Sequence, residues 1–303
     1  MFIQNYIQFS LNKGNLSIKI FPPKGEIQSP AREAEKAAFY FYQKYKKKKI
    51  ILCLSGGLDS LVMAESFLKA NAPFSAVIWR YKNNLNAYDI KHAFQFCRQN
   101  KIDYEIEELD LESFYGNHLH FYYGIKYLCD SPQIAVHLYF LEQLAKRSDR
   151  AFFLPWQPPE FWYTYTQGIK NTAIKIFIAF RYLAYYRFFL LNKTAGSAYF
   201  MISHSALLYS FLKLPLVKFI MNHKNKNILK TVSPYKLKTI LYKQGGFTSK
   251  PLKGKFTGFD QIRNSLSKKY GEDYYNKAFR FPLMKTIPPL KQQDLYLYPI
   301  WKN

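Results

Sequence analysis

An apolar run, Ile50-Ile51-Leu52-Cys53-Leu54, leads directly into Ser55-Gly56-Gly57-Leu58-Asp59-Ser60, and Leu61 to Leu68 continue as a helix-forming stretch. A strand that turns through glycines into a helix constrains the fold strongly, because such units build sheets covered by helices. The turn is also an anion cradle. Glycine lets the backbone come close to a ligand, and the N–H groups and positive dipole end of the next helix favour negative charge. Ser55, Asp59 and Ser60 add hydroxyl and carboxylate groups at the same place.

The spacing excludes two common phosphate loops. A Walker A loop needs a lysine after its last glycine, and none follows here. A dinucleotide fingerprint needs a third glycine where Ser60 stands. The string Ser55 to Ser60 instead resembles the SGGxDS loop of the PP-loop (N-type) ATP pyrophosphatases. With Leu58 at the variable position, it is closest to the synthetase domain of asparagine synthetase-like proteins of phage type.

Along the chain, Phe2 to Ile20 alternate loosely and read as one or two short strands, and Ser29-Pro30 opens a helix. Strands are expected at Ile50–Leu54, Phe74–Trp79, Tyr104–Leu109 and Ala151–Leu154, separated by helices at Leu61–Ala70, Asn86–Asn100 and Ser131–Ala145. This alternation predicts an α/β fold with a doubly wound parallel sheet, and the resemblance implies the adenine nucleotide alpha hydrolase-like form of it. From about Glu160 no strand period is evident. Helices are expected at Tyr163–Thr172, Ile174–Leu191 and Tyr199–Leu212, then a break at Gln244-Gly245-Gly246 and a helix from Gln261 onward. The expected organisation is N-terminal strands and helix over 1–45, the PP-loop domain over 46–160, and a mostly helical substrate region over 161–303.

The resemblance implies an enzyme of the ligase or amidotransferase kind that uses ATP with Mg2+ and cleaves between the α and β phosphates. An adenylated small-molecule acceptor, a carboxylate or carbonyl, is then attacked by an amine or ammonia. On that reading Ser55, Gly56, Gly57, Leu58, Asp59 and Ser60 hold the pyrophosphate, and Asp59 orients the loop or helps hold Mg2+. Trp79 and Arg80 close the second core strand, where family members bind adenosine; Asp110 closes the third. Asp130 and Gln133, near a helix start, are candidates to touch substrate or metal; Cys129 beside them is a weaker candidate nucleophile. Lys255, within a basic Gly-containing stretch from Lys250 to Gly258, is a candidate to reach back to phosphates. Asp59, Lys255 and Asp130 form the expected catalytic set.

The chain departs from asparagine synthetases in two respects. Their second glycine-rich acidic loop is replaced by Leu154-Pro155-Trp156-Gln157-Pro158-Pro159-Glu160, and Phe2 stands where a class II glutaminase would begin with Cys. Ammonia would therefore be free or come from a separate source.

The formal net charge of +24 is compatible with a nucleic-acid partner, and a tRNA- or DNA-base-modifying enzyme with the same loop is the alternative. A non-catalytic nucleotide-binding protein is the third reading. Much of the excess is lysine in a chain also rich in Asn, Ile, Tyr and Phe, so composition alone can account for it. Cys53, Cys97 and Cys129 lack metal-site spacing, which points to a reducing cytoplasm. The apolar stretches after residue 173 carry Lys175, Arg181, Arg187 and His204, and read as buried helices rather than membrane spans. His118 and His120 are expected on a surface loop; the oligomeric state is not legible.

Overall fold

The computed structural model describes residues 7–12, 15–20, 23, 25–129, 131–155, 161–164, 173–176, 183–222, 234–249, 258–270 and 295–297. An antiparallel hairpin, β1 (Ile7–Asn12) and β2 (Asn15–Ile20), precedes helix α1 (Pro30–Lys44). The α/β unit then runs β3 (Lys49–Cys53), α2 (Leu58–Lys69), β4 (Ser75–Tyr81), α3 (Ala87–Gln99) and β5 (Tyr104–Leu109). Helices α4 (Leu111–Gly116), α5 (Leu119–Tyr127) and α6 (Pro132–Ala145) lead to β6 (Arg150–Phe153).

Among the described residues the main sheet has the order β5-β4-β3-β6-β9, all parallel, where β9 is the short Gly196–Ser197. The chain builds outward from β3 through β4 to β5, then returns to lay β6 on the other side of β3. That reversal makes a crevice beyond the carboxyl ends of β3 and β6, the place where open α/β sheets bind ligands. The strands of the centre read as continuous apolar runs because both faces are covered: Ile50 to Leu54 and Ala151 to Leu154 are all buried.

One core runs from Ala31 to Leu266. Phe41 of α1 and Phe67 of α2 meet Phe153 of β6 edge-on, with centroids at 5.1 and 5.4 Å, and Phe67 also meets Phe200 at 5.4 Å. Residues on both sides of position 160 thus share one interior.

Beyond β6 the structure departs from the expected helices. Phe161–Thr164 (β7) and Ala173–Ile176 (β8) pair antiparallel, with β10 (Leu295–Leu297) on the other edge of β8. The aromatic and β-branched residues at Phe161–Thr164 fit a pleated surface better than a helix. Helix α7 is described over Leu183–Leu191. The expected helix at Tyr199–Leu212 is divided: a short 3-10 turn, Phe200–Ile202, precedes α8 (Ser205–Leu212). Helices α9 (Pro215–Asn222), α10 (Pro234–Gln244) and α11 (Gly258–Tyr270) complete the described chain. Among the described residues no helix is long and apolar enough to cross a membrane. Cys53, Cys97 and Cys129 are buried thiols. His120 is buried rather than on a surface loop, its ring packed 4.2 Å from Phe121 and 5.1 Å from Tyr115.

Candidate functional site

The glycine-rich loop sits at the sheet reversal, and its residues divide into two sets. Ser55 is exposed, and Gly57 and Asp59 are half-buried; Gly56, Leu58 and Ser60 are buried. Gly56 has φ +79°, and a Cβ there would stand 2.0 Å from the carbonyl oxygen of Asp89 on α3. Only glycine permits both the conformation and the contact. Ser60 turns its hydroxyl inward to donate to the carbonyl of Gly57 at 2.7 Å, so it fixes the turn. Ser55 and Gly57 are tied loosely by a 3.4 Å contact from the Gly57 N–H to Ser55 Oγ. Gly57 is the N-cap of α2, and no side chain caps that end. The start of a twelve-residue helix therefore opens on the crevice with no side-chain cap, and its positive dipole end favours an anion there.

A cavity of about 290 Å³ occupies the crevice. Ser55, Gly57, Leu58 and Asp59 form one pole, together with Lys238 and Tyr235 of α10. Leu154 and Pro155, after β6, form the floor on the far side of the reversal. The opposite wall is aromatic: Trp79, Tyr81, His137, Tyr185 and Tyr199.

The charged pole is cross-braced. Lys238 Nζ donates to Asp59 Oδ2 and the Tyr242 hydroxyl donates to Asp59 Oδ1, each at 2.7 Å. Burial, reinforced by the Asp59 charge, raises Tyr242 well above its ordinary pKa, so it stays a proton donor. Lower on α2, Glu65 grips the chain after α10. Its carboxylate accepts from the backbone N–H and hydroxyl of Thr248, from those of Ser249 at 2.8 and 2.6 Å, and from Lys69 at 2.6 Å. Burial alone would raise Glu65, but the bonds from Lys69, Ser249 and Thr248 outweigh it and hold its pKa at about 2.

The aromatic wall is held from behind. Trp79 stacks flat on Phe140, with centroids 5.1 Å apart and 2° between the planes. Asn86 bridges the end of β4, donating to the Trp79 carbonyl at 2.8 Å and accepting from the Tyr81 N–H at 2.9 Å. The Nδ1 of His137 bonds the Tyr185 hydroxyl, and burial lowers the His137 pKa to about 4. His137 is thus a neutral imidazole at neutral pH.

Of the residues singled out in the sequence, Ser55, Gly57, Leu58, Asp59, Trp79 and Gln133 border the cavity. Arg80 does not: its guanidinium pairs with Glu108 at 2.7 Å, because alternation along β4 turns it away from Trp79. Asp110 caps α4 by accepting from the Ser113 N–H at 3.0 Å. Cys129 is buried, its sulfur 3.4 Å from the Ser131 N–H. Asp130 and Lys255 lie outside the described residues. Lys238, Tyr242, Asn86, His137 and Tyr185 escape sequence reading; Asn86, just before the α3 stretch, is the one with a local signal.

The sequence reading has Asp59 orient the loop or help hold Mg2+. Both of its oxygens already accept 2.7 Å hydrogen bonds. Among the described residues no cluster of three or more His, Cys, Asp or Glu could hold a metal ion. The residues present do not fit a magnesium ion held by Asp59.

No family profile and no curated protein matches the sequence. Among solved structures, the chain is similar to an NMN synthetase from Francisella tularensis at 16% identity and TM-score 0.36, covering 80% of this chain and 95% of that one. It is similar to an NH3-dependent NAD synthetase from Campylobacter jejuni, in complex with nitrate, at 14% identity and TM-score 0.34, covering 75% and 100%. A glutamine-dependent NAD+ synthetase from Acinetobacter baumannii, in complex with ADP, matches at 18% identity and TM-score 0.32, covering 45% and 27%.

Proposed function

We propose that the protein is an adenylating enzyme that cleaves ATP between its α and β phosphates. One observation carries the reading: the Ser55–Ser60 loop opens, at the sheet reversal, into a cavity with an anion-binding pole and an aromatic wall. The phosphates would lie on the N–H groups at the start of α2, on Ser55 Oγ and against Lys238. The adenine would lie along Trp79 and Tyr81, beside His137. An oxygen of a carboxylate or carbonyl acceptor attacks the α phosphorus, the bond to the bridging oxygen breaks, and pyrophosphate leaves with the charge. Donors fixed in advance around that leaving group supply the stabilisation. An amine or ammonia then displaces AMP. Asp130 and Lys255 remain proposed contributors, and the ammonia would be free or delivered by a separate protein. The surplus of basic residues, net +24, favours a second acceptor class, a base in tRNA or DNA.

The test is to incubate the protein with ATP, magnesium chloride and pools of carboxylates, carbonyls, RNA or DNA, and to identify the nucleotide product. AMP with pyrophosphate is expected; ADP, or no turnover with any pool, sinks the reading. A requirement for RNA or DNA selects the second acceptor class. Ser55→Ala is expected to lower turnover about 10- to 1000-fold, by loss of one fixed donor, with unchanged thermal melting.

A further inference from the structure

We propose that Lys238 takes the place of a metal ion at Asp59: its ammonium is the built-in cation that meets nucleotide phosphates in this cavity. Nucleotide binding then does not depend on a divalent ion at Asp59. The inference rests on the ATP reading above and adds the identity of the cation.

The geometry points this way on three counts. A magnesium ion held directly by Asp59 would take one of its oxygens at about 2.0–2.1 Å. At Asp59 one oxygen faces Lys238 and the other faces Tyr242, each at 2.7 Å, so a metal on this carboxylate would stand beside the Lys238 ammonium, a like charge. Second, Lys238 is placed rather than free to swing. The chain just beyond its helix is pinned to α2 by the Glu65 bonds to Thr248 and Ser249, and to α1 by the Ala31 N–H bonding the Gly245 carbonyl at 2.9 Å. Third, an ammonium has three donors, and Asp59 takes one. The others are available to phosphate oxygens at a pole that already carries the positive end of α2. Asp59 on this view is a positioning residue for Lys238.

The experiment is calorimetric binding of ATP to the full chain, in excess EDTA and in excess magnesium chloride. The unmodified protein is expected to give dissociation constants that agree within about threefold. Lys238→Gln is expected to weaken binding in EDTA by about tenfold or more, and Lys238→Arg, which keeps the charge, to bind like the unmodified chain. Binding by the unmodified chain only with magnesium, or a Lys238→Gln variant that binds ATP normally in EDTA, overturns the inference alone. Absence of ATP binding in both buffers overturns it together with the reading on which it rests. The comparison of buffers on the unmodified chain needs no variant, so the proposal stays testable if Lys238→Gln fails to fold.

Discussion

Adjacent glycines do different work in this loop. Gly56 holds a positive φ and comes so close to α3 that an added Cβ would overlap the Asp89 carbonyl at 2.0 Å. Gly57 has an ordinary φ of −72°, and a Cβ there would meet nothing closer than Ser55 Oγ at 3.5 Å. Its value lies in exposing its N–H and capping α2 without a side chain. Gly56→Ala should therefore cost about 2–4 kcal/mol, from left-handed strain and the displacement of α3. Gly57→Ala should cost under about 1 kcal/mol, the ordinary penalty for alanine at an N-cap. Urea unfolding of both variants checks this; equal losses would mean that the approach of Gly56 to Asp89 is not limiting. The string alone shows two glycines and cannot rank them, because the rank is set by α3, about thirty residues later in the chain.

Helix α10 is the element on which the site depends and the one least visible in the sequence. Its end was legible. Gly245-Gly246 reads as a break, and the structure makes it a Schellman cap: Gly246 at φ +86°, its N–H on the Lys243 carbonyl, and the Phe247 N–H on that of Tyr242. The expected hydrophobic contact is present, with the Tyr242 and Phe247 rings at 5.3 Å. Its role was not legible, since Lys238 and Tyr242 meet Asp59 across separations of 179 and 183 residues. A lysine on a basic helix gives no local sign that it points inward. Glu65 is buried among the apolar residues of α2, and its bonds to Lys69, Thr248 and Ser249 explain it. Glu65→Ala should cost about 2–4 kcal/mol, because the Thr248 and Ser249 donors are left without their acceptor. Glu65→Gln, which keeps an acceptor, should cost about half as much by the same reasoning. Urea unfolding at pH 7, with amide exchange read along α10, measures both. A loss below about 0.5 kcal/mol would put the Glu65 grip among surface interactions of little weight.

At the scale of the whole molecule, the α/β core followed from strand–helix alternation, because buried parallel strands announce themselves as apolar runs. The antiparallel β7–β8 pair did not, since its strands are short and β8 also pairs with distant Leu295–Leu297. The same interior that made the core legible sets its response to acid. His120 and His204 are 1% and 7% exposed, and burial lowers each to a pKa of about 4. His204 also feels opposing charges from Glu33 and Lys36, while His118 adds to the lowering at His120. Between the ordinary value of 6.5 and about 4, the unfolded chain binds protons that the folded chain refuses. Stability is then fully present above pH 6.5 and falls as the pH drops toward 4. Glu65 acts in a separate window: its stabilisation is complete above the ordinary 4.5 and is lost toward pH 2. At pH 5 the histidines alone should have removed about 2 kcal/mol each, as an upper figure. Urea unfolding free energies at pH 7.5 and pH 5 test this directly. With His137, which burial also lowers to about 4, the unmodified protein should lose about 6 kcal/mol across that interval, and a His204→Gln variant about two thirds of it. A free energy that stays flat over the interval would show that these imidazoles find a proton-accepting environment in the folded chain, and that burial does not govern them.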